Sequence, residues 1–314
     1  MKHRKKIQEP IADKVFNVCN MIFLFLSFIL VAYPLLYIVS ASLSDSSAVI
    51  RGEVWLFPVG FELKAYQAIF SNKMIMTGYL NSILYTVLGT CFNLFLTTLA
   101  AYPLSRKKLY GRPVLTWVFM FTMFFSGGLI PQYILMNDLR LMNTIWAIVI
   151  SGGISIYNMI VMRSFLQSSI PEDLYEAAYL DGCGDIRILF DIVLPLSKPI
   201  LAVMLLYYAV WHWNDFFTAL IYTSDPKLSP LQLVLRELLV LNKIEGQLTE
   251  SAATIAGRMG MYELLRYAII VVASVPVLVI YPFVQKHFVK GVMIGSIKGC
   301  PPLGKRTSKP CLFK

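Results

Sequence analysis

The sequence predicts an all-α polytopic membrane protein with six transmembrane helices, and three observations carry that expectation. Hydrophobic residues make up 57% and charged residues 15% of the 314 positions, too little polar surface to clothe a water-soluble body of this size. Six apolar runs, at about 19–41, 79–102, 114–135, 144–162, 200–222 and 264–285, each come near the ~20 residues a helix needs to cross ~30 Å of hydrocarbon. Lys and Arg are crowded into particular connections between those runs.

The first run follows a basic segment, residues 1–18, with Lys2, Arg4, Lys5, Lys6 and Lys14. Its Val39-Ser-Ala41 end resembles a signal-peptide cleavage site, but the apolar stretch is longer than a signal core, so it is read as a retained span. A long connection, about 43–78, leads to the second run, after which Arg106, Lys107, Lys108 and Arg112 form a second basic cluster. The third and fourth runs are interrupted by Gly127-Gly128 with Pro131 and by Gly152-Gly153. Such breaks are tolerated where neighbouring helices or water satisfy the freed backbone groups, and serve either as packing kinks or as hinges. A second long connection, about 223–263, carries Pro226 and Pro230 ahead of an amphipathic stretch from Leu231 to Leu239, long enough for an interfacial helix and a loop. The sixth run contains Pro276 and Pro282, and Lys286, Lys290 and Lys298 follow it. Positive charge in short connections marks the cytoplasmic side, which places both termini and the connection after the fourth run inside.

That connection, residues 163–199, is a polar island. Ser169 and Glu172 have capping-box spacing and Pro171 falls in a first turn, so a short helix is expected from Ser169 to Asp181, stopped by Gly182. Asp185 is expected to cap a second short helix ending at Pro195. The two would make an elbow on the membrane surface, with Ala177 and Ala178 leaving room for close approach. Glu172, Asp173, Glu176, Asp181, Asp185 and Asp191 outnumber Arg163, Arg187 and Lys198 here. Acidic residues weigh little in topology, and their excess suits contact with a basic groove on another subunit, or simply a solvated face.

Glu176-Ala177-Ala178, three residues, Gly182, nine residues, then Ile192-x-Leu194-Pro195 matches without a gap the cytoplasmic coupling-helix (EAA) loop of binding-protein-dependent ABC importer permeases. From roughly residue 10 to Gly299 the chain resembles the carbohydrate-uptake branch of that family, similar to the maltose-transporter permease pair. The resemblance implies residues 19–299 as an importer transmembrane domain, with the seven signature positions coupling it to a cytoplasmic ATP-binding subunit dimer. Further implied partners are a second homologous permease, an extracytoplasmic sugar-binding protein and a carbohydrate substrate. In related permeases the segment corresponding to 223–263 reaches the binding protein's sugar cleft; here a passive surface loop fits equally. Residues 300–314 depart from the pattern and are read as a disordered extension or an altered terminus.

Absences agree with a non-catalytic subunit. The sequence has no phosphate-cradling Gly-x-x-x-x-Gly-Lys-Ser/Thr loop, no Gly-x-Ser-x-Gly and no His-Glu-x-x-His, and the resemblance implies that ATP is hydrolysed in a partner chain. Three scattered histidines and five scattered cysteines suggest neither metal site nor disulfide framework, and no cofactor is expected. The formal net charge of +10 is assigned to anchoring against membrane lipid rather than to a nucleic-acid surface, because no soluble basic domain exists.

Within the membrane the polar outlier is Trp211-His212-Trp213-Asn214-Asp215-Phe216-Phe217 in the fifth run. A carboxylate at membrane depth faces the bundle interior or a water-filled path. Asp215 therefore either bonds a neighbouring helix or lines a sugar path with its aromatic neighbours. On a continuous helix Trp213, Phe216 and Phe217 share one broad face while Asp215 points about 100° from Asn214, which marks Trp213, Asn214 and Phe217 as the candidate substrate pathway. The commitment is a permease subunit importing a carbohydrate, an oligosaccharide by expectation, across the bacterial cytoplasmic membrane. Its rivals are an ion-gradient-driven secondary carrier with Asp215 as coupling site and a membrane-embedded enzyme using His212 and Asp215.

Overall fold

A computed structural model describes residues 11–245 and 263–282, and every regular element among them is helical. Besides a 3-10 turn at Pro226–Leu228, they are in order α1 (Ile11–Ser42), α2 (Ser46–Ile50), α3 (Lys64–Ser71), α4 (Lys73–Ser105), α5 (Arg112–Phe124), α6 (Leu129–Asp138), α7 (Ile145–Ile150), α8 (Ile156–Ser169), α9 (Glu172–Leu180), α10 (Asp185–Leu196), α11 (Lys198–Asn214), α12 (Phe217–Tyr222), α13 (Leu231–Glu245) and α14 (Glu263–Pro282). The tail 300–314 and residues 286–299 lie outside the described residues, as does the part of the second long connection at 246–262.

Three of these helices, α1, α4 and α14, are long and apolar enough to cross a membrane, and up to five spans result if each bent pair counts as one. One such pair is α5 with α6, bent by 110° across residues 125–128, where Gly128 takes φ +85°. The third expected span is therefore broken at the Gly127-Gly128 flagged in the sequence. The fourth falls on α7 and α8, parted at 151–155 around Gly152 at φ +81°. Within the fifth expected span, α11 ends at Asn214 and α12 begins at Phe217.

The chain divides into two compact units. One comprises residues 1–82 and 225–276. Its α1 runs 32 residues, about 48 Å at 1.5 Å per residue, and none of its most apolar 18-residue window is buried. Such a helix suits lipid on its flanks. Only its last turn is covered: Ala41 is fully buried inside continuous helix, so the Val39-Ser-Ala41 run is part of the packed structure. The start of α13 is seated on α4, where Leu231 N–H donates to Ser82 Oγ at 2.8 Å and Asn81 Nδ2 donates to the carbonyls of Lys227 and Ser229.

The other unit comprises residues 83–224 and 277–314. Its core gathers Tyr102 and Leu104 of α4, Met159, Met162 and Leu166 of α8, Tyr175 and Ala178 of α9, Ile188, Leu189 and Val193 of α10, and Met204 and Tyr208 of α11. The short helices of the polar island are thus built into the same apolar core as the long ones, which gives the candidate site its rigidity.

Candidate functional site

The elbow starts from proline chemistry. A residue before proline is driven away from the helical region, and Ile170 is extended at φ −112°, ψ 110°, so α8 stops at Ser169. Pro171 at φ −62°, ψ 145° then occupies the position preceding α9. Ser169 thus closes the preceding helix instead of capping the next one, and Pro171 stands before the first turn, not in it. The α9 N-terminus gains from Glu172 and Asp173 in its first turn, where carboxylates face the positive end of the helix dipole.

Gly182 stops α9 as expected, at φ +79°. Gly182 N–H donates to the Tyr179 carbonyl at 3.0 Å and Cys183 N–H to the Ala178 carbonyl at 2.9 Å, the paired bonds of a left-handed glycine stop. The next helix departs from expectation. Gly184, rather than Asp185, precedes α10, and Asp185 accepts a hydrogen bond from the Tyr179 hydroxyl across the turn. The helix also passes through Pro195 to Leu196. Pro195 would collide with the Asp191 carbonyl of a regular α-helix, and a wider π turn at Leu189–Val193 lies directly before it. At its end α10 meets α11 at a bend of 83°.

The seven signature positions split into two groups. Glu176, Ala177, Gly182 and Pro195 are exposed, whereas Ala178 is buried and Ile192 and Leu194 pack against the core. The second group positions the elbow and the first displays it. Two more apolar side chains stand beside it almost unprotected: Leu180 is 90% exposed and Ile186 76%.

The brace beneath the elbow was not foreseen. Arg106, which the sequence marks only as topological charge, is buried, with its guanidinium carbon 3.4 Å from the centroid of the Tyr175 ring and Nη2 3.6 Å from Glu172 Oε1. Gln167 Nε2 donates to the carbonyls of Leu104 and Ser105, and Tyr102 Oη donates to the Asp185 carbonyl at 3.3 Å. Lys108 Nζ reaches Glu176 Oε1 at 3.1 Å. Burial raises the pKa of the Tyr175 phenol, and the hydrogen bond to Asp185 is the main cause raising that of Tyr179. Both phenols stay neutral, and Tyr179 donates to Asp185. No sequence pattern links residue 106 to residue 172, so only folding discloses the pair.

The acidic excess is also partly answered within the chain. Glu172 pairs with Arg106, Glu176 with Lys108 and Asp191 with Arg187, and Asp185 takes the Tyr179 hydroxyl. The three cations, though not the neutral Tyr179 hydroxyl, reduce the negative charge left for an external groove.

In the fifth run, Trp213 is buried and Asn214 and Phe217 are exposed. The helix break places Trp213 on α11 and Phe217 on α12, so the shared face expected of one continuous helix does not form. Asn214 Nδ2 donates to the Val210 carbonyl at 2.8 Å, and Asp215 Oδ1 accepts the Thr218 N–H at 3.1 Å. That bond satisfies the start of α12 locally instead of reaching a neighbouring helix. The neighbouring His212 lies buried against Gly89 of α4. Among the described residues no group of three or more His, Cys, Asp or Glu side chains could hold a metal ion.

Helices long and apolar enough to cross a membrane, together with a braced, partly apolar elbow, mark a helical membrane component. The chain belongs to the family of binding-protein-dependent transport system inner membrane components, whose pattern matches residues 75–294. It is 39% identical over 288 residues to Protein LplC of Bacillus subtilis, covering 92% of this chain and 96% of that one. It is 38% identical to the polygalacturonan/rhamnogalacturonan transport system permease protein YtcP of the same organism, covering 91% and 99%. Among solved structures it is similar to a chain of a bacterial ABC transporter involved in the import of the acidic polysaccharide alginate, at 34% identity and TM-score 0.81, covering 90% of this chain and all of the other. The last two belong to systems that carry polysaccharide.

Proposed function

We propose that this chain is a permease subunit that translocates an oligosaccharide across the bacterial cytoplasmic membrane, energised by a separate ATP-binding subunit dimer seated on the elbow. The observation that carries this is the elbow's construction: a gap-free signature, half displayed and half packed, on two helices fixed by a glycine stop and braced to α4 by Arg106. Exposed Leu180, Ile186 and Ala177 offer the partner apolar contact around the turn. A rigid elbow transmits displacement where a loose loop would absorb it.

In this reading six spans cross the bilayer with both termini and the elbow inside. A second permease of the same kind completes the pathway, and an extracytoplasmic binding protein delivers the sugar, as the family's dependence on a binding protein supports. A carbohydrate cargo is supported by the relatives' transport of polygalacturonan, rhamnogalacturonan and alginate. Closure of the ATPase dimer would move the elbow as a lever and rock the bundle between inward- and outward-facing states. Trp213, Asn214 and Phe217 form the proposed pathway segment. Asn214 and Phe217 are exposed and Trp213 is buried.

Gly182→Asp tests the coupling role. Nothing lies within 4 Å of a Cβ at this position, so the variant's strain is confined to a left-handed backbone, about 1–2 kcal/mol. The assembled complex should form in normal amounts while binding-protein-stimulated, vanadate-sensitive ATP hydrolysis and sugar uptake are both lost. Near-normal uptake in that variant would overturn the assignment.

A further inference from the structure

Between α2 and α3 the chain carries Trp55-Leu56-Phe57-Pro58-Val59-Gly60-Phe61, and its large apolar side chains face outward: Trp55 is 69% exposed, Phe57 80% and Phe61 68%. The segment is pinned to the last turn of α1. Ser40 Oγ donates to the Leu56 carbonyl at 2.6 Å, Val59 N–H donates to Ser44 Oγ at 3.1 Å, Asp45 N–H donates to the Val59 carbonyl at 2.9 Å, and Glu62 N–H donates to the Leu43 carbonyl at 3.0 Å. Ser40 belongs to the apolar run 19–41, so these bonds hold Trp55 and Phe57 level with the point where α1 leaves hydrocarbon.

Other aromatic tips gather at the same level. Tyr37, one turn earlier on α1, meets Tyr267 near the start of α14 with ring centroids 5.8 Å apart, and the Tyr66 hydroxyl bonds Ser42 Oγ at 2.8 Å. The apolar segment is flanked by the exposed ion pair Arg51–Glu53 on one side and by Lys64–Glu62 on the other. Outward aromatics bordered by charge, held at the end of a membrane-length helix, match the chemistry of the headgroup boundary, where amphipathic rings partition. We infer that the 55–61 segment is a lipid-interface anchor: Trp55, Phe57 and Phe61 sit in the headgroup layer and fix the depth of α1.

The occupant is the bilayer because the surface is continuous with α1, whose own flanks are apolar and uncovered. A water-facing loop or a protein-covered one are the competing outcomes. The test uses the full chain assembled with its partner subunits in proteoliposomes of phosphatidylethanolamine and phosphatidylglycerol, with its native cysteines replaced by serine. A nitroxide is attached in turn at Phe57→Cys and Phe61→Cys, with Glu53→Cys as the aqueous reference and Leu24→Cys as the hydrocarbon reference. Collision rates with oxygen and with a water-soluble nickel chelate are then compared. The oxygen-to-nickel ratio at positions 57 and 61 should be several-fold above that at 53 and below that at 24. A ratio equal to that at 53 would make the segment an aqueous loop, and suppression of both collision rates would make it a protein contact. Either result overturns the anchor.

Discussion

A Cβ added to Gly89 would lie 2.3 Å from the His212 ring, so α4 and α11 approach each other only because position 89 lacks a side chain. The contact is with a buried ring, and the only relief is to move a helix or the ring. Overpacking of this kind costs about 1–3 kcal/mol. Gly89→Ala is expected to lower the amount of assembled complex and its thermal midpoint in detergent, and Gly89→Ala with His212→Ala to recover much of both. Failure of the double variant to recover would mean that His212 contributes more than bulk. Gly182 is the opposite case: its surroundings are empty, and its requirement is one of backbone sign alone. That is why the sequence disclosed Gly182, beside a helix pattern, and was silent about Gly89, whose constraint comes from a residue 123 positions away.

At the scale of elements, α4 and α9 are joined by interactions of unequal worth. Lys108 and Glu176 are each more than half exposed, and such pairs contribute about 0–1 kcal/mol. Arg106 is buried, stacked on Tyr175 and paired with Glu172, a setting where a cation on an aromatic face is worth about 0.5–2 kcal/mol before the ion pair is added. Arg106 is therefore the effective strut between the end of α4 and the elbow. Arg106→Ala is expected to reduce sugar uptake more than it reduces the amount of assembled complex, and Arg106→Lys to fall between the two, since an ammonium keeps the charge and loses the planar stack. Parallel measurement of uptake and of complex recovered from membranes decides this. Equal losses in both would reduce Arg106 to a folding residue.

For the whole molecule the proposed orientation rests on Lys and Arg in short connections. Cys183 lies in the elbow, partly accessible and free, so it reports directly. In a variant with the other four cysteines replaced, a membrane-impermeant thiol reagent should label Cys183 in inside-out vesicles and not in intact cells, and the ATPase subunit should slow the reaction. Labelling from outside would invert the topology.

The sequence by itself determined the helical membrane class, the long first, second and last apolar helices, the breaks at Gly127-Gly128 and Gly152-Gly153, the glycine stop at 182 and, through its signature, the family. These are local or compositional properties: apolar length, left-handed backbone and fixed spacing are written into consecutive residues. Tertiary structure alone decided what crosses between distant segments. It set Arg106 under Tyr175, gave Glu172 and Glu176 partners inside the chain, and turned Ala178, Ile192 and Leu194 inward. It also divided the fifth run at Asp215, whose carboxylate accepts the Thr218 N–H in the first turn of α12. Burial and ion pairing depend on which helices become neighbours, and that choice is made by packing the whole apolar core at once.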